Sequence, residues 1–456
     1  VGPSAWSATG VSIDSRSVAA GDLFVALAGP SFDGHDFVAD ALKRGAAGAL
    51  VSRKPDGLPA NAPLILVPDT LAALTELGRA GRARSKARVI AVTGSVGKTG
   101  TKEALRRALE RQGPTVASAA SFNNHWGVPL SLARMPAESG YGVFEIGMNH
   151  AGEIAALTRL VRPEIAVITT ISAAHLGFFH SVEAIADAKA EIFQGMPHDG
   201  VAVLNRDNPH FERLAAAARA CGVARILSFG EHPEANVRVI HSHLYSTASA
   251  VTAMVMDEIV DYCLSVPGHH WVINSLAVMS AVKAADADIS IAAAVMGSLE
   301  ALDGRGRRHR IAVAGGEADL VDESYNANPD SMRAALAVLG TIQPRPGGRR
   351  IVVLGDMLEL GPAASRLHAE LAQPILAAGV DLVFTAGREM EHLDRALPPK
   401  QRAAHAATSA ELVPALAASL RPGDIVMVKG SLGSRMADIV KPLLKGVREA
   451  AHVVKA

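Results

Sequence analysis

The segment Thr93-Gly94-Ser95-Val96-Gly97-Lys98-Thr99 carries the groups needed to hold a chain of phosphates. Its glycines let backbone N–H groups turn inward around anionic oxygens, and a helix starting at the loop's end adds partial positive charge at the same spot. Lys98 has the reach to neutralise terminal phosphates, and the Thr99 hydroxyl is a ligand type that suits Mg²⁺. The plain alternative is a glycine-rich turn that binds nothing, and Val92 does stand where the general phosphate-loop pattern has its first glycine. The flanks favour the phosphate loop. Residues 89–92 are an apolar run fit for a buried parallel strand, and a helical pattern runs from about 101 to 111.

Three further residues have the chemistry to complete such a site. Glu145, in the strand-like run 143–146, offers a carboxylate to a hard cation, although a strand glutamate on its own is more often a salt-bridge or edge residue. His175 follows the apolar run 165–171 and by itself reads as a loop histidine. Lys189 lies in the helical pattern Ala186-Asp187-Ala188-Lys189-Ala190-Glu191-Ile192-Phe193 and, taken alone, reads as a solvated surface lysine. Glu145 and His175 gain weight together. Both follow strands of what should be one parallel sheet, and ligands gather at the carboxyl ends of such strands.

The elements that must position these groups alternate apolar strand candidates with helical patterns. From residue 89 the strands are expected at 143–146, 165–171, 201–204 and 226–229, the signature of a doubly wound, mostly parallel sheet. A small α/β unit with strands near 22–27 and 49–51 precedes it, ending at the basic stretch 79–88. A second α/β series follows the Gly- and Arg-rich stretch 304–310, with strands at 351–354, 382–386 and 425–428. Three domains are therefore expected, 1–85, 86–312 and 313–456, in line with 456 residues being too many for one core. Hydrophobic residues make up 49% and charged residues 20%, so the chain folds, and 45 basic against 45 acidic side chains leave no net field for nucleic acid or an anionic membrane. The only cysteines, Cys221 and Cys263, lack metal-ligand spacing and point to a reducing compartment, and no apolar run reaches spanning length. A cytoplasmic monomer is expected. The start, Val1-Gly2-Pro3-Ser4, has neither an initiator Met nor a signal pattern and reads as a trimmed or altered end.

The loop pattern Thr-Gly-Ser/Thr-x-Gly-Lys-Thr, with no earlier glycine, resembles that of the Mur ligases and their folylpolyglutamate synthetase relatives; Gly100 stands where these ligases often have another Thr. Glu145 to Ile154 is similar to the family's Glu-(Leu/Ile)-Gly-x-Asn-His-x-Gly-Glu-Ile segment, and Ala174-His175-Leu176 to its Ala-His-Leu. The resemblance implies a central ATP-binding domain between a UDP-sugar-binding domain and a C-terminal Rossmann-like domain. It further implies two Mg²⁺ ions held by Thr99, Glu145, His175 and a carbamoylated Lys189, with Asn274 at the adenine, Arg305 at the phosphates and Asn326 also at ATP. Lys98, His175 and Lys189 would be the catalytic set. Asn205-Arg206-Asp207-Asn208-Pro209 matches a family turn with a structural role.

Within the family, the flanking segments resemble the D-alanyl-D-alanine-adding members. Asp14-Ser15-Arg16 and Asp33-Gly34-His35-Asp36-Phe37 are similar to the UDP-sugar module, although Ser15, Arg16 and His35 read without the family are capping and surface groups. Ser121-Phe122-Asn123-Asn124-His125-Trp126-Gly127-Val128-Pro129 and Tyr325-Asn326-Ala327-Asn328-Pro329 resemble that subgroup's segments, and the motif that recognises diaminopimelate is missing. Ser15, Arg16, Asn123, Asn124, Asn328, Lys429 and Ser431 are the residues this implies for substrate. Glu323 stands where many members have Asp, and its role stays open. The implied activity joins D-alanyl-D-alanine to a UDP-N-acetylmuramoyl-tripeptide at the expense of ATP. The alternatives are a sister ligase that adds another amino acid and a nucleotide-binding switch without ligase chemistry.

Overall fold

A computed structural model describes residues 6–29, 32–119, 122–174 and 176–453 and contains three sheets among them. Val1 to Ser4, Ser121 and His175 lie outside the described residues. The first sheet is parallel, in the order β1 (Gly10–Ser12), β2 (Asp22–Val25), β3 (Gly48–Val51), β4 (Leu64–Leu66). Its strand β2 stops at Val25, short of the expected 27, because the chain turns there: Ala28 bridges back to Asp33. The helix Thr70–Arg84, N-capped by Asp69, closes this unit and lies against the helix Gly127–Ala133. Gly78 and Gly81 make the approach possible, since a Cβ on Gly81 would sit 2.1 Å from the Leu132 carbonyl oxygen. Buried Arg82 fixes the joint by donating to the carbonyls of Val161, Ser85 and Arg162 and to Glu164.

The central sheet runs β13-β12-β11-β10-β9-β8-β5-β7-β6. Its parallel part comprises β5 (Arg88–Thr93), β6 (Thr115–Ala117), β7 (Tyr141–Glu145), β8 (Ile165–Ile168), β9 (Val201–Asn205), β10 (Arg225–Gly230) and β11 (Val237–Leu244). β12 (Ser249–Val255) and β13 (Glu258–Leu264) extend it antiparallel, which the apolar-run reading did not anticipate. β12 alternates buried and half-buried residues, the two-residue period of a sheet with one wet face. β5 lies between β8 and β7, with Val92 opposite both Glu145 and Val167, so the carboxyl ends of three strands meet at the phosphate loop. β8 ends at Ile168, not at 171, because Thr169 and Thr170 turn aside to bond that loop.

The third sheet runs β14-β15-β19-β16-β17-β18, namely β14 (Arg307–Val313), β15 (Gly316–Glu323), β16 (Arg350–Gly355), β17 (Leu382–Ala386), β18 (Arg402–Ala406) and β19 (Ile425–Lys429). Only β14 and β15 pair antiparallel. β14 straddles the division expected at 312–313, and its ladder with β15 puts it with the third unit. This unit meets the central one where Leu176 packs on its core and Gly177 N–H donates to the Glu359 carbonyl at 2.7 Å. Among the described residues no helix is long and apolar enough to cross a membrane.

Candidate functional site

The helix after the phosphate loop begins at Lys98, three residues earlier than its apolar pattern indicated, with Gly97 at φ +85° as the residue before it. Backbone conformation and space both demand glycine here. A Cβ on Gly94 (φ +148°) would meet Thr169 Oγ1 at 1.9 Å, and one on Gly97 would meet Asn274 Oδ1 at 2.8 Å. The loop is clasped from β8's end: Thr169 Oγ1 donates to the Val96 carbonyl (2.5 Å), Ser95 N–H to Thr170 O (2.8 Å), and Ser95 Oγ to Ser172 O (3.1 Å). Asn208 and Asn205 hold that same segment, through Thr170 Oγ1, Ile171 O and Thr169 O. Thr93 and Thr99 are buried at the two ends of the loop.

Lys98 donates its ammonium to Gly94 O at 2.7 Å. Burial lowers its pKa from the usual lysine value, Glu145 opposes that shift, and Arg305 adds to it. Arg305, in the link to the third unit, thus acts on Lys98 electrostatically, and its guanidinium lies 4.2 Å from the Tyr325 ring centroid. Lys189 is not the surface lysine its helix suggested. It is 1% exposed, at the end of the helix Val182–Ala190, and its pKa falls well below normal through desolvation and the nearby positive charge of Lys98. Glu191, whose position in the sequence pattern carries no evident role, accepts from Gly152 N–H (2.6 Å) and Ala155 N–H (3.1 Å), tying the Lys189 helix to the segment after Glu145. Lys102 was also missed. Its ammonium donates to Ser118 O (2.9 Å), and Ser118 Oγ accepts from Glu145 N–H (3.1 Å).

Glu145 is 1% exposed and receives the Asn123 amide on Oε1 at 2.7 Å. Its Oε2 is buried and has no hydrogen-bond partner among the described residues. A buried carboxylate oxygen left open beside a phosphate loop fits a hard cation. Among the described residues no group of three His, Cys, Asp or Glu side chains could hold a metal by itself. The buried Lys189 amine, on which Lys98 acts electrostatically, is the neighbouring group that a carbamate would turn into an anion. A neutral buried amine is also the form that reacts with carbon dioxide.

The remaining expected residues are spread over all three units. Asn124 Oδ1 accepts from Trp126 and Gly127 N–H, closing the turn into the helix at Gly127, while Arg16 pairs with Asp14 at 2.7 Å and Ser15 is buried beside it. His35 is also buried, pinned between Asp33 and the Ser52 N–H, rather than at the surface. In the third unit, Lys429 is 2% exposed, donating to Glu323 (3.1 Å) and to Asn326 O (3.0 Å), which gives Glu323 its partner. Ser431 Oγ links Leu358 N–H to Ala327 O. Asn328 caps the helix Pro329–Thr341 in a reciprocal pair with Ser331, so its side chain is engaged within the protein. Asn328→Ala is expected to lower stability by about 1 kcal/mol, read as a shift of the urea midpoint, and Asn328→Ser to keep most of it.

The family profile described as Mur ligase middle domain matches residues 92–282, that of the Mur ligase glutamate ligase domain 293–432, and that of the Mur ligase family catalytic domain 7–82. The chain belongs to the Mur ligase family. The UDP-N-acetylmuramoyl-tripeptide--D-alanyl-D-alanine ligase of Escherichia coli (strain K12) is 35% identical over 436 residues, which cover 95% of this chain and 93% of that protein. Among solved structures, MurF from Acinetobacter baumannii aligns with a TM-score of 0.82 at 30% identity, covering 95% of this chain and 93% of that one. MurF ligase from Thermotoga maritima in complex with ADP aligns with a TM-score of 0.78 at 25% identity, covering 97% and 98%. Within this Mur ligase, Glu145, Lys189 and Arg305 thus lie within electrostatic range of Lys98, while Glu323, Asn326, Lys429 and Ser431 belong to a bonded group in the third unit.

Proposed function

We propose that this chain is the ATP-dependent ligase that joins D-alanyl-D-alanine to the terminal carboxylate of a UDP-N-acetylmuramoyl-tripeptide, releasing ADP and phosphate in peptidoglycan precursor synthesis. The observation that carries this is the convergence of Lys98, Arg305, Glu145 and buried Lys189 on the glycine loop, in a chain similar over nearly its whole length to enzymes of that name. An amide does not form directly from a carboxylate, because oxide is too poor a leaving group. The tripeptide carboxylate oxygen attacks the γ-phosphorus of ATP, the bond to the bridging oxygen breaks, and ADP leaves. The dipeptide amine then adds to the acyl carbon of the resulting acyl phosphate. Loss of an amine proton and expulsion of phosphate give the amide.

In this scheme the loop residues Thr93 to Thr99 cradle the phosphates, Lys98 and Arg305 neutralise the charge that builds on the transferring group, and Asn274 and Asn326 flank the nucleotide. Thr99, Glu145, His175 and carbamoylated Lys189 would hold two Mg²⁺ ions, which when bound spread the phosphate charge. Asn123 fixes Glu145, Asn124 shapes the turn beside it, and Ser15 and Arg16 hold the UDP-sugar. Asn328, Lys429 and Ser431 bind the dipeptide substrate, Asn328 through its amide N–H groups and Lys429 through the ammonium N–H left over from Glu323 and Asn326 O. We place the enzyme in the cytoplasm as a monomer, acting on soluble substrates and not on nucleic acid or within a membrane.

The test is phosphate release from ATP with purified UDP-muramoyl-tripeptides. Release is expected to require D-alanyl-D-alanine, at least about 100-fold above the rate with lysine, diaminopimelate or glutamate, as a site built around a substrate's polar groups rejects analogues lacking them. Equal release with one of those amines would make the chain a sister ligase. Release without any amine would leave only a nucleotide-hydrolysing switch.

A further inference from the structure

We propose that Trp271 is a positioning residue for the nucleotide loop and that Gly100 is the space it needs, an inference that rests on the loop holding ATP. Gly100 is the third residue of the helix Lys98–Glu110, where glycine costs about 1 kcal/mol relative to alanine. A Cβ there would lie 2.8 Å from Trp271 Cη2, 3.2 Å from Cζ2 and 3.4 Å from Cζ3, so the benzene end of the indole rests on the glycine itself. One turn earlier, the Asn274 amide sits on Gly97 in the same way, at 2.8 Å and 3.0 Å from the place of a Cβ.

The two contacts share a spacing of three residues and run in opposite chain order on the two helices. The helix His269–Ala284 therefore passes antiparallel over the first turn of the loop helix, close enough that a Cβ at Gly100 or Gly97 would force Trp271 or Asn274 to shift. Trp271 also borders a cavity of ≈ 30 Å³ between the central and third units, shared with Arg305, Glu323 and Val338. The half-buried indole thus stands between the loop helix and the unit that delivers Arg305 towards Lys98. Trp271 sets how deep the loop helix sits and so where Lys98 and Thr99 meet the phosphates. Misplacement of such groups by about 1 Å costs on the order of 100-fold in rate.

A double-mutant cycle on the full chain tests this, with Gly100→Thr, Trp271→Ala and the pair, reading KM for ATP, Kd for ADP by calorimetry, KM for the dipeptide, and the thermal midpoint. Each single change is expected to weaken nucleotide binding about 10-fold while KM for the dipeptide stays within about 2-fold, a split that general loss of structure would not produce. The pair is expected to lie within about 3-fold of Trp271→Ala alone, because threonine then enters space the indole has left. Multiplying effects, near 100-fold in the pair, or singles that move both KM values equally, would overturn the proposal. If threonine prevents folding, Gly100→Ala with Trp271→Phe gives the same comparison with single effects of about 3-fold, and multiplying effects again overturn it. Absence of ADP binding by the unaltered protein would instead overturn the loop's role, and this pairing with it.

Discussion

Lys98→Ala is expected to lower turnover by about 10³-fold or more while leaving the thermal midpoint within a few degrees, measured by ATP-dependent phosphate release and by thermal unfolding. The activity loss follows from where the charge sits. The Lys98 ammonium bonds Gly94 O inside the loop and interacts with both Glu145 and Arg305, so it is held at the place where negative charge accumulates on the transferring group. Backbone N–H groups remain in the variant, but they carry only partial charge. The fold should survive because the lysine's own hydrogen bond is local, four residues back, and burial already disfavours its charged form. Lys98→Met, which keeps the side-chain volume, should lose the same activity and separate charge from packing. Turnover unchanged by either substitution would refute the loop's role.

Lys189→Ala is expected to reduce activity by about 10³-fold, with partial recovery on adding a short carboxylic acid such as formate or acetate. Alanine opens the space of a buried side chain, and a small carboxylate can place its anion where the carbamate would stand. Recovery by chloride at the same ionic strength, or none with any carboxylate, would remove the case for carbamoylation. A stability measurement gives an independent reading. The pKa of Lys189 in the fold lies well below normal, so between that value and about 10.4 the unfolded chain binds one more proton than the folded one. Stability from this group therefore rises with pH across that window, and its burial cost is fully felt only below the folded pKa. In buffer freed of carbon dioxide, Lys189→Met should raise the urea midpoint at neutral pH and flatten its rise towards alkaline pH. An unchanged slope would mean that the amine is not buried in its neutral form.

The sequence by itself determined the phosphate loop, the parallel strands around it and the identity of Lys98 and Thr99, because these depend on neighbours within a few residues: glycines for φ, an apolar run for β5, a helical period after it. It did not determine the antiparallel extension by β12 and β13, where the alternating exposure of β12 depends on which face meets solvent, nor that β8 stops at Ile168 to let Thr169 clasp the loop. Burial was decided wholly in three dimensions. A lysine in an Ala-rich helix looks solvated, yet in the fold, where Glu191 ties the end of that helix to Gly152, Lys189 is buried. The same holds for the cap that Asn328 makes with Ser331, a role not read from the sequence. Gly100 and Trp271 are far apart in the chain, and although Gly100 departs from the family pattern, neither points to the other. Only the crossing of two helices makes one the other's counterpart, because steric contact is a property of distance in space rather than of position in sequence.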